Sequence, residues 1–431
     1  MSPRMHPSTS TATAPRAVLA VTVILLAASI VVHMPTEVQK TLLGRVILHD
    51  PVYDDLYASV KQVFYVDSCN PGSGVWLDKA AASTLCSGGR ALVFPYLDYR
   101  LNQPPLAGFI LASMTSLSML SPGGPEVFLS VFYLLQSILS TAAALYSVYR
   151  LTTRGGVYFY PLYAATLLVY GVYGFDVFAL PFIVEAFIAI REGRWRRAAF
   201  STALALSVSF YMLIPLGLLA YMVVRGDLDE RGVVAGLLSG VPLFIAVVAM
   251  DPGYFNNVIG DVLQPVFNNG VFSILTLKAS VGAAYAFNTG VWILGMLILY
   301  SMSPPAGSRM DLLRHMAASM LLLYAVHPRM VPQTLLLVLP LLLSFIKPAD
   351  PGMLVVEASN AAIILLWFKA GEASRYLSAI LGVEAPPQPT SLGNPVQWIA
   401  LFRGALTLLY ALSLLTQPLG EESEKKLLWR G

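Results

Sequence analysis

Long apolar runs separated by short polar joints dominate the chain, and one long polar stretch interrupts them near the start. The run 17–34 is long enough for one helix across a hydrocarbon core, which takes about 20 residues. From Pro105 onward apolar segments follow at 105–120, 127–149, 157–173, 177–191, 198–224, 233–250, 281–301, 312–326, 330–346, 353–369 and 398–416. Together they predict an all-α, polytopic membrane protein with about 11–12 transmembrane helices. The 198–224 run exceeds one span. With Pro215 inside SFYMLIP, it reads either as one long kinked helix or as two short helices meeting between Tyr211 and Pro215. No internal repeat of the inverted-transporter kind stands out.

The same pattern divides the chain into a cytoplasmic tail at 1–16, a single transmembrane domain at 17–420 and a charged C-terminal tail at 421–431. Arg4 and Arg16 flank the first apolar run and no small-residue cleavage site follows it. It therefore reads as a retained span with its N-terminus in the cytoplasm, which makes 35–104 a long first outward, extracytoplasmic loop. The arginine-rich REGRWRR (191–197) and the mixed cluster RGDLDERGV (225–233) belong in the cytoplasm on the positive-inside rule. Simple alternation from a cytoplasmic N-terminus puts 191–197 outside. Either one boundary is misplaced or the first loop carries an extra membrane element.

Composition agrees with a chain built for lipid: 56% of the 431 residues are hydrophobic and only 12% are charged, where a soluble domain has about a quarter charged. Membrane lipids are the expected surroundings, in a multi-pass protein of the cell membrane. The net charge of +3 is dispersed, with no Lys/Arg block interleaved with aromatics, so no nucleic-acid partner is expected. There is no HExxH, GxSxG, Walker loop, GxGxxG or paired Cys/His box, and nothing supports a protease, an ATPase or a redox enzyme. Spans such as 312–326 carry few charges, so a proton relay or ion pathway lacks its usual residues. Cys69 and Cys86 both fall in the outward loop. They read as a disulfide on an oxidising face or as two unpaired thiols, and their surroundings are unlike a zinc site.

Candidate chemistry concentrates in the outward loop and at a few helix ends. Asp50, Asp54 and Asp55 are close enough to repel when ionised. Repulsion raises one pKa and poises a base, or the three share a divalent cation, or they form a solvated acidic loop. A second cluster comprises Arg90, Tyr96, Asp98, Tyr99, Arg100, Asn102 and Gln103, closed by Pro104 and Pro105, which fix the entry of the next helix. Arg90 and Arg100 suit a lipid phosphate or simple headgroup contact. Asp176, in GVYGFDVFALP, stands where a cap stabilises a helix start. His327, Arg329 and Gln333 break the apolar pattern in VHPRMVPQ, as a phosphate ligand and a sugar hydrogen-bond partner or as a plain connecting turn.

The order of these pieces resembles the GT-C superfamily of polyprenyl-phosphate-sugar-dependent glycosyltransferases, and in particular its mannosyltransferase-like branch. The carriers are the acidic, tyrosine-bearing first loop, FPYLDY leading to QPPL, YGFDVFALPFIVEAFIAIREGRW, SFYMLIP and HPRMVPQTLLLVLPLLL. The resemblance implies transfer of a mannose-like hexose from a polyprenyl-phosphate donor to a lipid or glycan acceptor, with inversion. A loop aspartate acts as general base. The matching positions are Asp50, or Asp54 and Asp55 in DDLY; Asp98 would help bind the acceptor. Some members use a divalent cation, Mg or Mn, and others none. SFYMLIP lacks the family's lysine, leaving Arg90, Arg100 and Arg329 as cations for the donor phosphate. The competing expectations are a polytopic transporter or flippase, and a noncatalytic subunit of a glycan-assembly complex.

Overall fold

The computed structural model describes residues 13–49, 51–70, 72–154, 164–262, 281–302, 308–327, 331–346, 350–382, 384–389, 391 and 393–416. Among them the regular elements are helical, with only two isolated bridges, Trp76 to Tyr99 and Pro95 to Tyr99. α1 (Thr13–His33) leads into the polar loop, which carries α2 (Thr36–Leu43), α3 (Asp55–Lys61) and α4 (Lys79–Cys86). Then come α5 (Pro105–Met119), α6 (Pro125–Thr153), α7 (Ala164–Tyr170), α8 (Asp176–Arg191) and α9 (Trp195–Leu206). They are followed by α10 (Leu213–Val224), α11 (Glu230–Leu238), α12 (Val241–Met250), α13 (Tyr254–Val262) and α14 (Val281–Met302). The last are α15 (Arg309–Val326), α16 (Leu335–Leu342), α17 (Pro351–Trp367), α18 (Ala370–Leu381) and α19 (Pro395–Thr416).

Among the described residues, four helical stretches are long and apolar enough to cross a membrane: Pro15–His33, Pro125–Thr153, Glu230–Met250 and Pro395–Thr416. Counting α17 and α18 as one span, bent by 104°, makes five. At the centre, α15 is buried from Met310 to Val326. The chain packs closely on α9 at Gly236 of α11 and at Gly240 just before α12: a Cβ on Gly236 would lie 2.5 Å from the Arg196 carbonyl oxygen, and one on Gly240 2.9 Å from the Ala203 Cβ. Small residues at four-residue intervals let two helical backbones meet in this way.

The 198–224 run is two helices, and the break lies upstream of the one expected. It falls at Ser207–Ser209, between α9 and the short turn that starts α10. Pro215 sits in the first turn of α10, where a helix has no use for the missing N–H. Instead, the Ser207 carbonyl accepts from Leu106 and Ala107, the first turn of α5. Contact with a distant helix sets this boundary.

The spans expected to carry few charges do bury some. Asp311, Arg314 and His315 are buried in α15, Glu357 in α17 and Arg403 in α19. Pairing makes this tolerable: Arg314 pairs with Asp311 one helical turn away. Arg403 donates to Asn360 Oδ1 at 2.7 Å and lies 4.6 Å over the Tyr324 ring.

Helix ends fall into two sets. At one end the polar loop packs on the first turns of α6, where Phe64 stacks on Phe128, and Gln136 bonds Asp54. At the other, Arg150 near the end of α6 and Arg197 of α9 both pair with Glu185, and Arg309 donates to the Arg191 carbonyl. α5 begins against the α9–α10 break and ends beside Gly88, Arg90 and Phe128. Both its ends thus lie with the polar loop, so α5 does not reach the arginine end. Removing this one segment from the alternation brings 191–197 to the same end as the start of α1, which runs beside α6 with Ile30 against Tyr133.

Candidate active site

A cavity of about 480 Å³ opens where the polar loop meets the helix ends. Its polar lining comprises Asp55 of α3, Asn102 and Gln103 ahead of α5, Asp176 of α8, Ser209 and Tyr211 at the α9–α10 break, Thr289 and Trp292 of α14, His327 and Gln333. Leu213, Ile214, Val258 and Leu323 form its apolar side.

The two carboxylates are brought together by backbone. The amides of Asp55 and Leu56 donate to the Tyr173 carbonyl at 3.1 and 3.3 Å, which ties the first turn of α3 to the turn that opens α8. His33 adds a second tie, with its ring nitrogens 2.9 Å from the Tyr53 carbonyl and 2.7 Å from that of Val169. Asp176 occupies the first position of α8, and its carboxylate is hydrogen-bonded by Ser209. Burial pushes the Asp55 carboxyl up to about 6, because a low-dielectric site disfavours the charged form. A carboxylate poised there ionises near neutrality and still holds a proton well.

Asp54 faces a different task. It is the N-cap of α3, accepting from the Tyr57 amide at 2.9 Å and from Gln136 Nε2 at 3.0 and 2.9 Å. Burial pushes its carboxyl up to about 8, opposed by the Gln136 and Tyr57 hydrogen bonds. It does not line the cavity.

Gln103 is held by tyrosines. The hydroxyls of Tyr96 and Tyr254 both donate to its carbonyl at 2.9 Å, and Tyr96 also reaches the Pro104 carbonyl at 3.0 Å. Tyr96 has φ +70°, and a Cβ on Gly108 would lie 2.2 Å from its hydroxyl. Only glycine leaves room for that ring against α5.

Other residues singled out in the sequence lie elsewhere. Arg90 is exposed and donates to the Gly123 carbonyl at 2.8 Å; Arg100 is exposed and does not line the cavity. Asp98 accepts from the Phe94 amide at 2.7 Å and shapes the turn before Tyr99. Cys69 and Cys86 form a disulfide with Cα atoms 4.9 Å apart, joining the end of the α3 segment to α4. Asp50 and Arg329 lie outside the described residues. Sequence reasoning misses Ser209, Thr289, Trp292 and Tyr254, which stand in or beside apolar runs without a motif.

Among the described residues no three His, Cys, Asp or Glu side chains gather as a metal cluster. Asp55, Asp176, Asn102 and Gln103 do line one cavity, and their side chains carry oxygens of the hard kind that Mg or Mn prefers. No protein-family model, curated protein or solved structure matches this chain.

Proposed function

We propose that this chain is a multi-pass membrane glycosyltransferase of the GT-C kind, with about 11–12 spans, its cavity at the outer face and the arginine end in the cytoplasm. It moves a mannose-like hexose from a polyprenyl-phosphate donor to a lipid or glycan acceptor. The observation that carries this reading is the one cavity shared by Asp55, Gln103, Asp176 and His327, drawn from four distant parts of the chain.

Asp55 acts as general base. Its carboxylate takes the proton of an acceptor hydroxyl, the hydroxyl oxygen attacks the anomeric carbon, and the bond from that carbon to the phosphate oxygen breaks. The electron pair leaves with the lipid phosphate, and attack opposite the leaving group inverts the centre. Asp176, fixed by Ser209, and the amides of Asn102 and Gln103 orient sugar hydroxyls. If a divalent cation takes part, Asp55 and Asp176 would hold it and it would supply positive charge for the leaving phosphate. The apolar flank suits a lipid-borne donor: Leu213 is 57% exposed while lining the cavity, and Ile293 and Leu294 of α14 are exposed beside Trp292.

The test is transfer of radiolabelled sugar by the purified protein from polyprenyl-phosphate-mannose and polyprenyl-phosphate-glucose to a membrane lipid or glycan extract. Transfer from either supports the reading, and none from both, by folded protein, overturns it. A transporter is the second reading, favoured by Asn360, Glu357 and Arg403 buried inside the bundle. It requires substrate flux across sealed vesicles without any change in the substrate.

A further inference from the structure

The described lining of the cavity contains no lysine or arginine, yet the donor's phosphate must be held there if the proposed reaction is right. The two walls differ in kind. Asp55 and Asp176, on the α3 and α8 side, present acceptors that repel a phosphate. Thr289, Trp292 and His327, on the α14 and α15 side, present donors. Thr289 and Trp292 are three residues apart and share a face of α14. Thr289 Oγ1 and His327 Nε2 lie 3.4 Å from each other, so the two helices meet at this level.

Trp292 is the telling member. Its indole nitrogen is shut away from solvent and has no hydrogen-bond partner among the described residues, although the ring lines the cavity. An indole N–H can only donate. A buried donor left unpaired is costly, and a turn of the ring that brings the N–H to a ligand acceptor in the cavity removes that cost.

We infer that Thr289, Trp292 and His327 form the subsite for the donor's lipid phosphate, with neutral and imidazole donors standing where the family resemblance leads one to expect a lysine. This rests on the lipid-phosphate reading of the cavity. It assigns the phosphate to the wall away from the base, so that the leaving group departs toward α14 while the acceptor approaches from Asp55.

The experiment compares binding of a radiolabelled polyprenyl phosphate and the matching polyprenyl alcohol to the full-length protein and its Trp292→Phe form, both in lipid nanodiscs. Phenylalanine keeps an aromatic ring and removes the N–H. We expect the variant to bind the phosphate about 10- to 100-fold more weakly, the range for a hydrogen bond to a charged group, and the alcohol as the parent does. Equal phosphate binding by both forms overturns the subsite, and so does an equal loss for both probes, which marks a packing role. Parent protein that binds phosphate and alcohol alike overturns it too. Selective phosphate binding without any sugar transfer leaves the subsite standing and sinks the glycosyltransferase reading alone.

Discussion

Asp54 and Asp55 are adjacent in the chain and serve opposite sides of it. The Asp54 carboxylate is enclosed between the Tyr57 amide and Gln136, while Asp55 lines the cavity one residue later. The start of α3 separates them, since an N-cap turns its side chain back over the first turn and the next residue projects outward. This division of labour yields distinct expectations for the two carboxylates.

Asp54→Ala removes the cap and leaves one N–H of the Gln136 amide unpaired, the other still donating to the Val172 carbonyl at 2.5 Å. We expect it to lower stability by about 1–3 kcal/mol, read as earlier thermal unfolding in detergent. Asp55→Asn should leave the melting temperature close to that of the parent. Equal destabilisation by the two changes would mean that Asp55 is also structural.

Activity should depend on pH through Asp55. A base with its carboxyl pushed up to about 6 loses competence as pH falls through that value, so the rate should drop about tenfold per unit below it. Stability runs the other way. Both carboxyls hold their protons more tightly folded than unfolded, where an aspartate titrates near about 4. Their burial is therefore harmless below about pH 4 and increasingly unfavourable as pH rises toward 6 for Asp55 and 8 for Asp54. Thermal melts from pH 4 to 8 should show this decline, and Asp54→Asn should flatten its upper part.

The proposed topology, in which α5 does not span the membrane, puts the arginine cluster on the cytoplasmic side. In sealed vesicles with the native orientation, a cysteine placed at Glu192 should react with an impermeant maleimide only after the membrane is opened. One at Ala80, exposed between the loop's two cysteines, should react directly. Labelling of Glu192→Cys from outside would show that α5 spans the membrane.

The Cys69–Cys86 bond joins residues 17 apart in the sequence, a separation for which a cross-link contributes about 3 kcal/mol. Cys69→Ser with Cys86→Ser should lower the melting temperature and speed proteolysis between residues 62 and 90. Because neither cysteine lines the cavity, binding by surviving folded protein should persist.

Much of the fold is legible in the sequence because apolar runs of span length have few alternatives to a helix. What escapes is set by contacts between distant segments. Pro215 is the obvious breaker in SFYMLIP, yet the chain bends at Ser207–Ser209, where α5 takes the carbonyl. Arg403 looks misplaced in an apolar helix until Asn360 and Tyr324 are seen beside it. At the site, Asp55, Gln103, Asp176 and His327 stand out as polar residues at helix ends. Trp292 and Thr289 do not, since nothing local separates a tryptophan facing lipid from one facing a cavity.

The most direct measurement is sugar transfer by the parent, Asp55→Asn and Asp54→Asn proteins, each checked for folding and for binding of polyprenyl phosphate. We expect Asp55→Asn to bind the lipid phosphate as the parent does and to lose at least about a hundredfold in transfer rate, the scale of a missing general base, with Asp54→Asn retaining most of its activity. Undiminished transfer by folded Asp55→Asn would contradict the assignment of the base and, with it, the proposed chemistry of the cavity.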